Sequence, residues 1–139
     1  MKVLLYISTK GTLEDRLHHL VWALAYAKIS DRKLHLRWTP DEECSDEFSS
    51  LFEETDSIIL PDFETNLGVT IKYDPPPGSF IETDEVTLSY VWKSRLMRKY
   101  KLSLEEFKAI TKICINYLVP KPGKLSEVND VIVKIKELI

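Results

Sequence analysis

The residues that could carry chemistry are concentrated near the start of the chain. A short apolar run at residues 3–7 is followed by a turn and helix start that contain Gly11, Asp15 and Arg16. A guanidinium can bind phosphate oxygens in a bidentate manner, and a carboxylate can hold a sugar hydroxyl or act as a general base. The structural alternatives are a surface ion pair for Arg16 and a helix-start role for Asp15.

Two strands and a helix must position this turn. The continuous apolar residues at 3–7 predict a strand buried on both faces. Thr12 is a favourable N-cap for a helix that begins at Leu13 and ends near residues 29–31. Alternating residues at 34–38 predict a second strand. The order strand, turn, helix, strand is typical of a Rossmann-like sheet, in which ligands bind at the carboxyl edge.

The remaining sequence predicts further strands and two amphipathic helices. Residues 57–60 and 69–73 are interpreted as strands, whereas residues 87–92 fit either a strand or the start of a helix. Ser103 and Glu106 form the capping box of the first of the two helices. The alternation of strands and helices predicts an α/β domain.

Length and composition favour one folded domain. The chain has 139 residues, of which 44% are apolar, so it can build one core. We expect residues 1–139 to form a three-layer, Rossmann-like domain with a mainly parallel sheet. The net charge of −3 and the short apolar runs argue against nucleic-acid and membrane partners. The start of the sequence does not resemble a signal peptide, and the two cysteines do not suggest a disulfide framework, so we expect a cytoplasmic protein.

Charge is separated between two segments of the chain. Residues 41–56 hold eight carboxylates and no Lys or Arg, and residues 93–101 hold five cations and no carboxylate. A solvated loop is the favoured interpretation of the acidic segment, and carboxylates at the edge of a cleft are the alternative. The basic segment could bind a phosphate or an acidic partner, or pair with the acidic segment. A solvated amphipathic helix is its favoured interpretation.

The histidines and cysteines do not predict a metal site or a nucleophile. His18 and His19 are adjacent, point about 100° apart on a helix, and do not form a paired ligand spacing with Cys44. The acids near Cys44 raise the pKa of its thiol, whereas Cys114 falls on an apolar stripe and is interpreted as core. His35 lies on the polar side of its strand and is expected to be exposed. We therefore assign no catalytic residue and no metal ligand.

Residues 11–53 resemble the amino-terminal half of fucosyltransferase-like glycosyltransferases, the group of the bacterial nodulation fucosyltransferases and the protein O-fucosyltransferases. The family's pattern is a G-G-L-G-N-R-L turn, an alanine-rich helix, a strand ending in Trp, then acidic residues, a Cys and F-S-D-L-F-E. The matching residues are Gly11, Leu13, Arg16, Leu17, Ala23, Leu24, Ala25, Ala27, Lys28, Trp38, Pro40, Cys44, Phe48, Ser49, Leu51, Phe52 and Glu53. Residues 107–138 are similar, more weakly, to the family's passage of a long helix, L-x-P and a short helix. The chain departs from the pattern at Thr12, Glu14 and Asp15, which stand where the family has Gly, Gly and Asn.

The resemblance implies one half of a GT-B glycosyltransferase, an enzyme whose active site lies between two Rossmann-like domains. It implies the acceptor-side half, with Gly11, Asp15 and Arg16 as substrate-binding residues and a carbohydrate as substrate. The family's other half binds the sugar nucleotide and carries an H-x-R-x-x-D motif, which this chain lacks. Activity of this chain alone is therefore not expected, and a sugar nucleotide such as GDP-fucose would be used only with a partner domain. No other cofactor is implied.

A non-catalytic binding or assembly protein is the alternative function. The surface that a second domain would cover would then be an interface with a protein partner or with a second copy of the chain. A third hypothesis is a complete small enzyme, which needs a pocket with convergent polar groups within one domain.

Overall fold

A computed structural model describes residues 2–60, 78–83 and 88–138 of the chain. The strands in these residues are β1 Val3–Ser8, β2 Lys33–Trp38, β3 Ser79–Thr83 and β4 Leu88–Trp92. The helices are α1 Leu13–Ile29, α2 Phe48–Leu51, α3 Lys93–Lys99, α4 Leu104–Cys114 and α5 Leu125–Leu138, with 3₁₀ turns at Ile115–Tyr117 and Pro122–Lys124. The strand predicted at 69–73 lies outside the described residues.

The four strands form one sheet in the order β2-β1-β3-β4. β1 and β2 are parallel, from Val3 opposite Lys33 to Ser8 opposite Trp38. β3 is antiparallel to both β1 and β4. The α/β class is confirmed, but a mainly parallel sheet is not, because only one of the three strand pairs in the described residues is parallel. The short connection between β3 and β4 accounts for the antiparallel pairing of these two strands, since parallel neighbours need a crossover of a dozen or more residues.

The outer edge of β2 carries one further pairing. Ile59 donates its amide hydrogen to the Leu34 carbonyl at 2.9 Å, and its own carbonyl accepts from Leu36 at 2.8 Å. This parallel bridge is what the structure retains of the strand predicted at 57–60. In the segment at 87–92, for which a strand and a helix start were both open, the described residues Leu88–Trp92 form β4, which α3 follows directly.

β1 is buried on both faces, as its continuous apolar sequence predicted. Leu4 and Tyr6 join the main core, and the alternate residues of the strand form a second buried cluster with Ile81. Helix α1 covers the main-core face, and α4 and α5 pack against α1. The Cys114 side chain of α4 is fully buried in this core, as predicted. Among the described helices, none has the length and the hydropathy that crossing a bilayer requires.

Helix α4 begins at the predicted capping box. Ser103 Oγ accepts a hydrogen bond from the Glu106 amide at 3.1 Å, and Glu106 Oε1 accepts from the Ser103 amide at 3.2 Å. We expect Ser103→Ala to lower the free energy of unfolding by about 1 kcal/mol, because the Glu106 amide loses its side-chain acceptor. Urea unfolding measures the change. Ser94→Ala, at an exposed position in α3, is the control, and an equal loss in both variants would contradict the prediction.

Candidate functional site

The predicted turn joins β1 to α1 at the carboxyl end of β1. Gly11 has a φ of 103°, a backbone conformation that glycine adopts without steric cost. Thr12 is the N-cap, as predicted, and its Oγ1 accepts a hydrogen bond from the Asp15 amide at 3.2 Å. The side chain of Asp15 is exposed. The turn therefore presents a glycine backbone and a carboxylate to solvent at the sheet edge where Rossmann-like folds bind ligands.

Arg16 is buried beneath this turn, with only 1% of its surface exposed. Its Nη1 donates hydrogen bonds to the carbonyl oxygens of Ser8 at 3.2 Å and Thr39 at 2.7 Å. Its Nε donates to the Gly11 carbonyl at 3.0 Å. One guanidinium therefore joins the ends of β1 and β2 to the turn between β1 and α1. Arg16 therefore stabilises the conformation of the turn from its buried side.

Asp41 is the charge partner of Arg16. Its Oδ1 lies 3.1 Å from Arg16 Nη2, and the guanidinium carbon lies 5.0 Å from the centre of the Trp38 ring. The same oxygen accepts hydrogen bonds from the amides of Glu43 and Cys44, each at 2.9 Å. Burial acts to raise the pKa of Asp41, but the amides of Cys44, Glu43 and Gly11 and the charge of Arg16 outweigh it, so its pKa lies below the ordinary value. The ionised carboxylate ties the loop after β2 to α1.

The sequence did not separate Asp41 from the other acids of the acidic segment. Glu42 and Glu43 are exposed, as expected for a solvated loop, whereas Asp41 is half-buried and paired. The carboxyl ends of adjacent parallel strands meet at one edge of a sheet. An acid three residues after β2 was therefore a reasonable partner for an arginine at the start of α1.

The loop after β2 is fixed by aromatic packing. Trp38 donates its indole hydrogen to the Asp46 carbonyl at 3.0 Å, and its ring centre lies 5.4 Å from that of Phe48. The Phe48 ring stacks on Phe52 at 4.9 Å. The pKa of the Cys44 thiol is raised mainly by burial, and the neighbouring acids raise it further. The thiol is therefore protonated at neutral pH, and Cys44 is a packing residue of this loop.

Two cavities lie beside the start of β2. One of about 320 Å³ is lined by Lys28, Lys33 and Tyr117, among others. The other, of about 630 Å³, is lined by Lys33, Phe48 and Ile58, among others. Both adjoin the first residue of β2, and neither is lined by a predicted site residue.

His18 and His19 lie beside Trp22 on α1. Their ring centres are 4.5 and 5.2 Å from that of Trp22, and the ammonium of Lys93 lies 4.1 Å from the same ring. Within the described residues, no group of three or more His, Cys, Asp or Glu side chains is arranged to hold a metal ion. The cluster is therefore an aromatic and cationic packing site between α1 and α3.

His18 and His19 are expected to make stability fall between pH 7 and pH 5. Burial, followed by the nearby Lys93 for His18 and by His18 for His19, lowers the pKa of each imidazole from its usual 6.5. The unfolded chain therefore binds more protons than the folded chain as the pH falls below about 6.5. The melting temperature of the double variant His18→Gln/His19→Gln should fall less than that of wild type over this pH range.

The control for this prediction is Lys134→Gln, which removes an exposed charge on α5 and should keep the wild-type slope. Melting temperatures at pH 7, 6 and 5 give the comparison. His35, whose pKa is also lowered by burial, retains part of the pH dependence in every variant. An unchanged slope in the double variant would contradict the prediction.

The expectation that His35 is exposed is wrong. Only 3% of its surface is exposed. His35 is opposite Leu5 in the parallel register, and Leu5 belongs to the second buried cluster. Lys33 and Arg37, on the same side of β2, are exposed, so only the middle position of this polar alternation is buried.

The predicted site residues are neighbours but differ in exposure. The structure brings together Gly11, Asp15 and Arg16, with Asp15 exposed and Arg16 buried. Comparison of the chain with family models, with curated protein sequences and with solved structures finds no match.

Proposed function

We propose that this chain is the acceptor-side domain of a fucosyltransferase-like glycosyltransferase. With a sugar-nucleotide-binding domain, it would take part in the transfer of a sugar from a donor such as GDP-fucose to an acceptor hydroxyl. The proposal rests on one observation. Arg16 contacts residues from two segments of the family pattern, the turn before α1 and the strand that ends in Trp. The guanidinium contacts the carbonyl of Gly11 from the first segment and the Trp38 ring from the second.

The arrangement of β1, α1 and β2 supports the finer fold assignment within this proposal. The two parallel strands joined by a helix form the unit from which Rossmann-like halves of GT-B enzymes are built. The antiparallel strands β3 and β4 lie together on one side of this unit. Mixed sheets are common among α/β folds, so these strands are compatible with a three-layer relative of that fold.

Each of the three residues has a separate role in the proposed acceptor site. The exposed Asp15 carboxylate would accept hydrogen bonds from sugar hydroxyls. Gly11 lets the backbone of the turn approach a ligand closely, because it has no side chain. Arg16 is a positioning residue that holds the turn in place. The contribution of this domain to transfer is the orientation of the acceptor hydroxyl towards the donor.

Amide NMR spectra of the ¹⁵N-labelled chain test the proposal. The probes are a panel of neutral oligosaccharides, free L-fucose and GDP-fucose. We expect at least one neutral sugar to shift the amide signals of Gly11 and Asp15. Asp15→Ala should weaken this binding at least fivefold, whereas Glu14→Ala, which removes the neighbouring acid of the same helical turn, should leave it within twofold.

Two outcomes would contradict the proposal. The first is the absence of amide shifts with every probe. The second is an equal loss of binding in Asp15→Ala and Glu14→Ala, because this would trace the effect to the charge of the helix start and not to a contact with the sugar.

An assembly function is the second candidate, and exposed apolar side chains on the last two helices favour it. The exposed fractions are 52% for Ile113, 53% for Val133 and 59% for Leu138. Light scattering that gives a dimer mass, together with no sugar binding, would support this candidate. A monomer that binds sugar would support the glycosyltransferase assignment.

A further inference from the structure

Helix α3 and its flanking residues present exposed cationic and aromatic side chains. We call this surface the α3 patch, and its members are Trp92, Arg95, Arg98, Lys99, Tyr100 and Lys101. Trp92 is 48% exposed and Tyr100 is 39% exposed, which is high for side chains of this size. The patch shares no residue with the proposed site at Gly11, Asp15 and Arg16, and it is independent of the proposed function.

The geometry of α3 places its cations on one side. Leu96 is fully buried and anchors the helix to the main core. Arg95, Arg98 and Lys99 have the i, i+3, i+4 spacing of one helix face, and all three are exposed. Lys93 is not part of this surface, because its ammonium packs over the Trp22 ring.

In the part of the chain that the structure describes, no carboxylate neutralises the α3 patch. The ion pairs between described residues join Arg16 to Asp41, Arg32 to Glu82, and Lys124 to Asp46 and Glu127. No described carboxylate pairs with a cation of the patch, so the acidic segment at 41–56 does not serve this role there. Four like charges within seven residues repel one another in the free protein. An anionic partner would relieve that repulsion.

The residue types of the patch indicate the kind of partner. Trp, Tyr and Arg are the side chains that most often dominate the binding energy of protein interfaces. The α3 patch contains two aromatic residues, Trp92 and Tyr100, and two arginines within nine residues of sequence. We propose that the α3 patch is a docking site for an acidic segment of a partner protein.

The size of the patch favours a protein segment over a long polyanion. A seven-residue helix is about 10 Å long. A lipid surface or a long nucleic acid extends well beyond that length. Such a polyanion would be repelled by the rest of the chain, because the net charge is −3 and the acidic segment holds eight carboxylates. A short acidic segment can pair with the cations of α3 without this repulsion.

Fluorescence anisotropy with a labelled twelve-residue polyglutamate peptide tests the inference in the full chain. We expect binding that weakens as salt is raised towards about 0.15 M. Arg95→Gln/Arg98→Gln should weaken it at least tenfold, and Trp92→Ala should also weaken it. The matched control Lys134→Gln/Lys136→Gln removes two exposed charges from α5 and should change binding less than twofold.

Circular dichroism is the check that the variants fold. Three results would overturn the inference. One is no peptide binding at low salt. Another is an equal loss in the α3 and α5 double variants, which would show an effect of net charge alone. The third is tighter binding to a twelve-nucleotide RNA or to phosphatidylserine vesicles than to the peptide, which would assign the patch to another class of partner.

Discussion

Replacement of Arg16 by leucine is expected to lower the free energy of unfolding by about 3–5 kcal/mol. The variant removes the hydrogen-bond donor shared by the carbonyl oxygens of Ser8, Gly11 and Thr39. It also removes the cation that lies 3.1 Å from the Asp41 carboxylate. Buried acceptors that lose a donor and a carboxylate that loses its counter-charge each carry a desolvation cost. Unfolding in guanidinium chloride, followed by circular dichroism, measures the loss.

Two further variants define the cause of this loss. Arg98→Leu removes an exposed arginine of α3 and should change stability by less than about 0.5 kcal/mol. Arg16→Lys keeps the positive charge but loses the planar fork of donors, so it should remain clearly less stable than wild type. Wild-type stability in Arg16→Lys would show that charge alone is sufficient, and this would contradict the role of the three carbonyl contacts.

The same variants also separate the two interpretations of Arg16. If Arg16 holds the turn in place, the Arg16→Leu protein should lose stability and sugar binding together. If Arg16→Leu were as stable as Arg98→Leu and yet failed to bind sugar, Arg16 would be a direct ligand contact and the buried geometry would not describe its function. Measuring both quantities on one preparation distinguishes these results.

The local part of the site was predictable because it depends on near neighbours in sequence. Thr12 caps α1 and Gly11 takes a positive φ, and both follow from turn and capping chemistry. The burial of Arg16 was not predictable in the same way. It depends on carbonyl groups at the ends of two strands that come together only after the βαβ unit has formed. Such groups need donors, and a nearby arginine supplies several.

The sheet was predicted less well than the helices. The parallel pair of β1 and β2 follows from the long helical crossover. β3 was not predicted, because its sequence from Ser79 to Thr83 carries Glu82 at a position that faces the core. A carboxylate at such a position breaks the apolar pattern from which strands are identified. The structure accommodates it with partners from α1 and from the residues that follow this helix.

Glu82→Ala is expected to lower the free energy of unfolding by about 3 kcal/mol, because it removes a largely buried carboxylate with two partners. The Tyr26 hydroxyl donates a hydrogen bond to Glu82 Oε1, and Arg32 Nη2 lies 3.6 Å from Oε2. Arg32 also donates to the Val3 carbonyl at 3.2 Å, so this group links the end of α1 to both β1 and β3. Urea unfolding measures the loss, and Glu54→Ala, at an exposed position, should change stability by less than about 0.5 kcal/mol.

The hydrogen bond and the ion pair of Glu82 can be distinguished by a further variant. Glu82→Gln keeps an acceptor for the Tyr26 hydroxyl but gives Arg32 no counter-charge, so its loss should lie between those of wild type and Glu82→Ala. In a double-mutant cycle, Glu82→Ala should cost less in a Tyr26→Phe background, with a coupling of about 0.5–3 kcal/mol. Burial and the neighbouring carboxylate raise the pKa of Tyr26, which keeps its hydroxyl a donor at all pH values of the experiment. A coupling of zero would contradict a stabilising hydrogen bond between Tyr26 and Glu82, and any loss in Glu82→Ala would then come from the ion pair with Arg32.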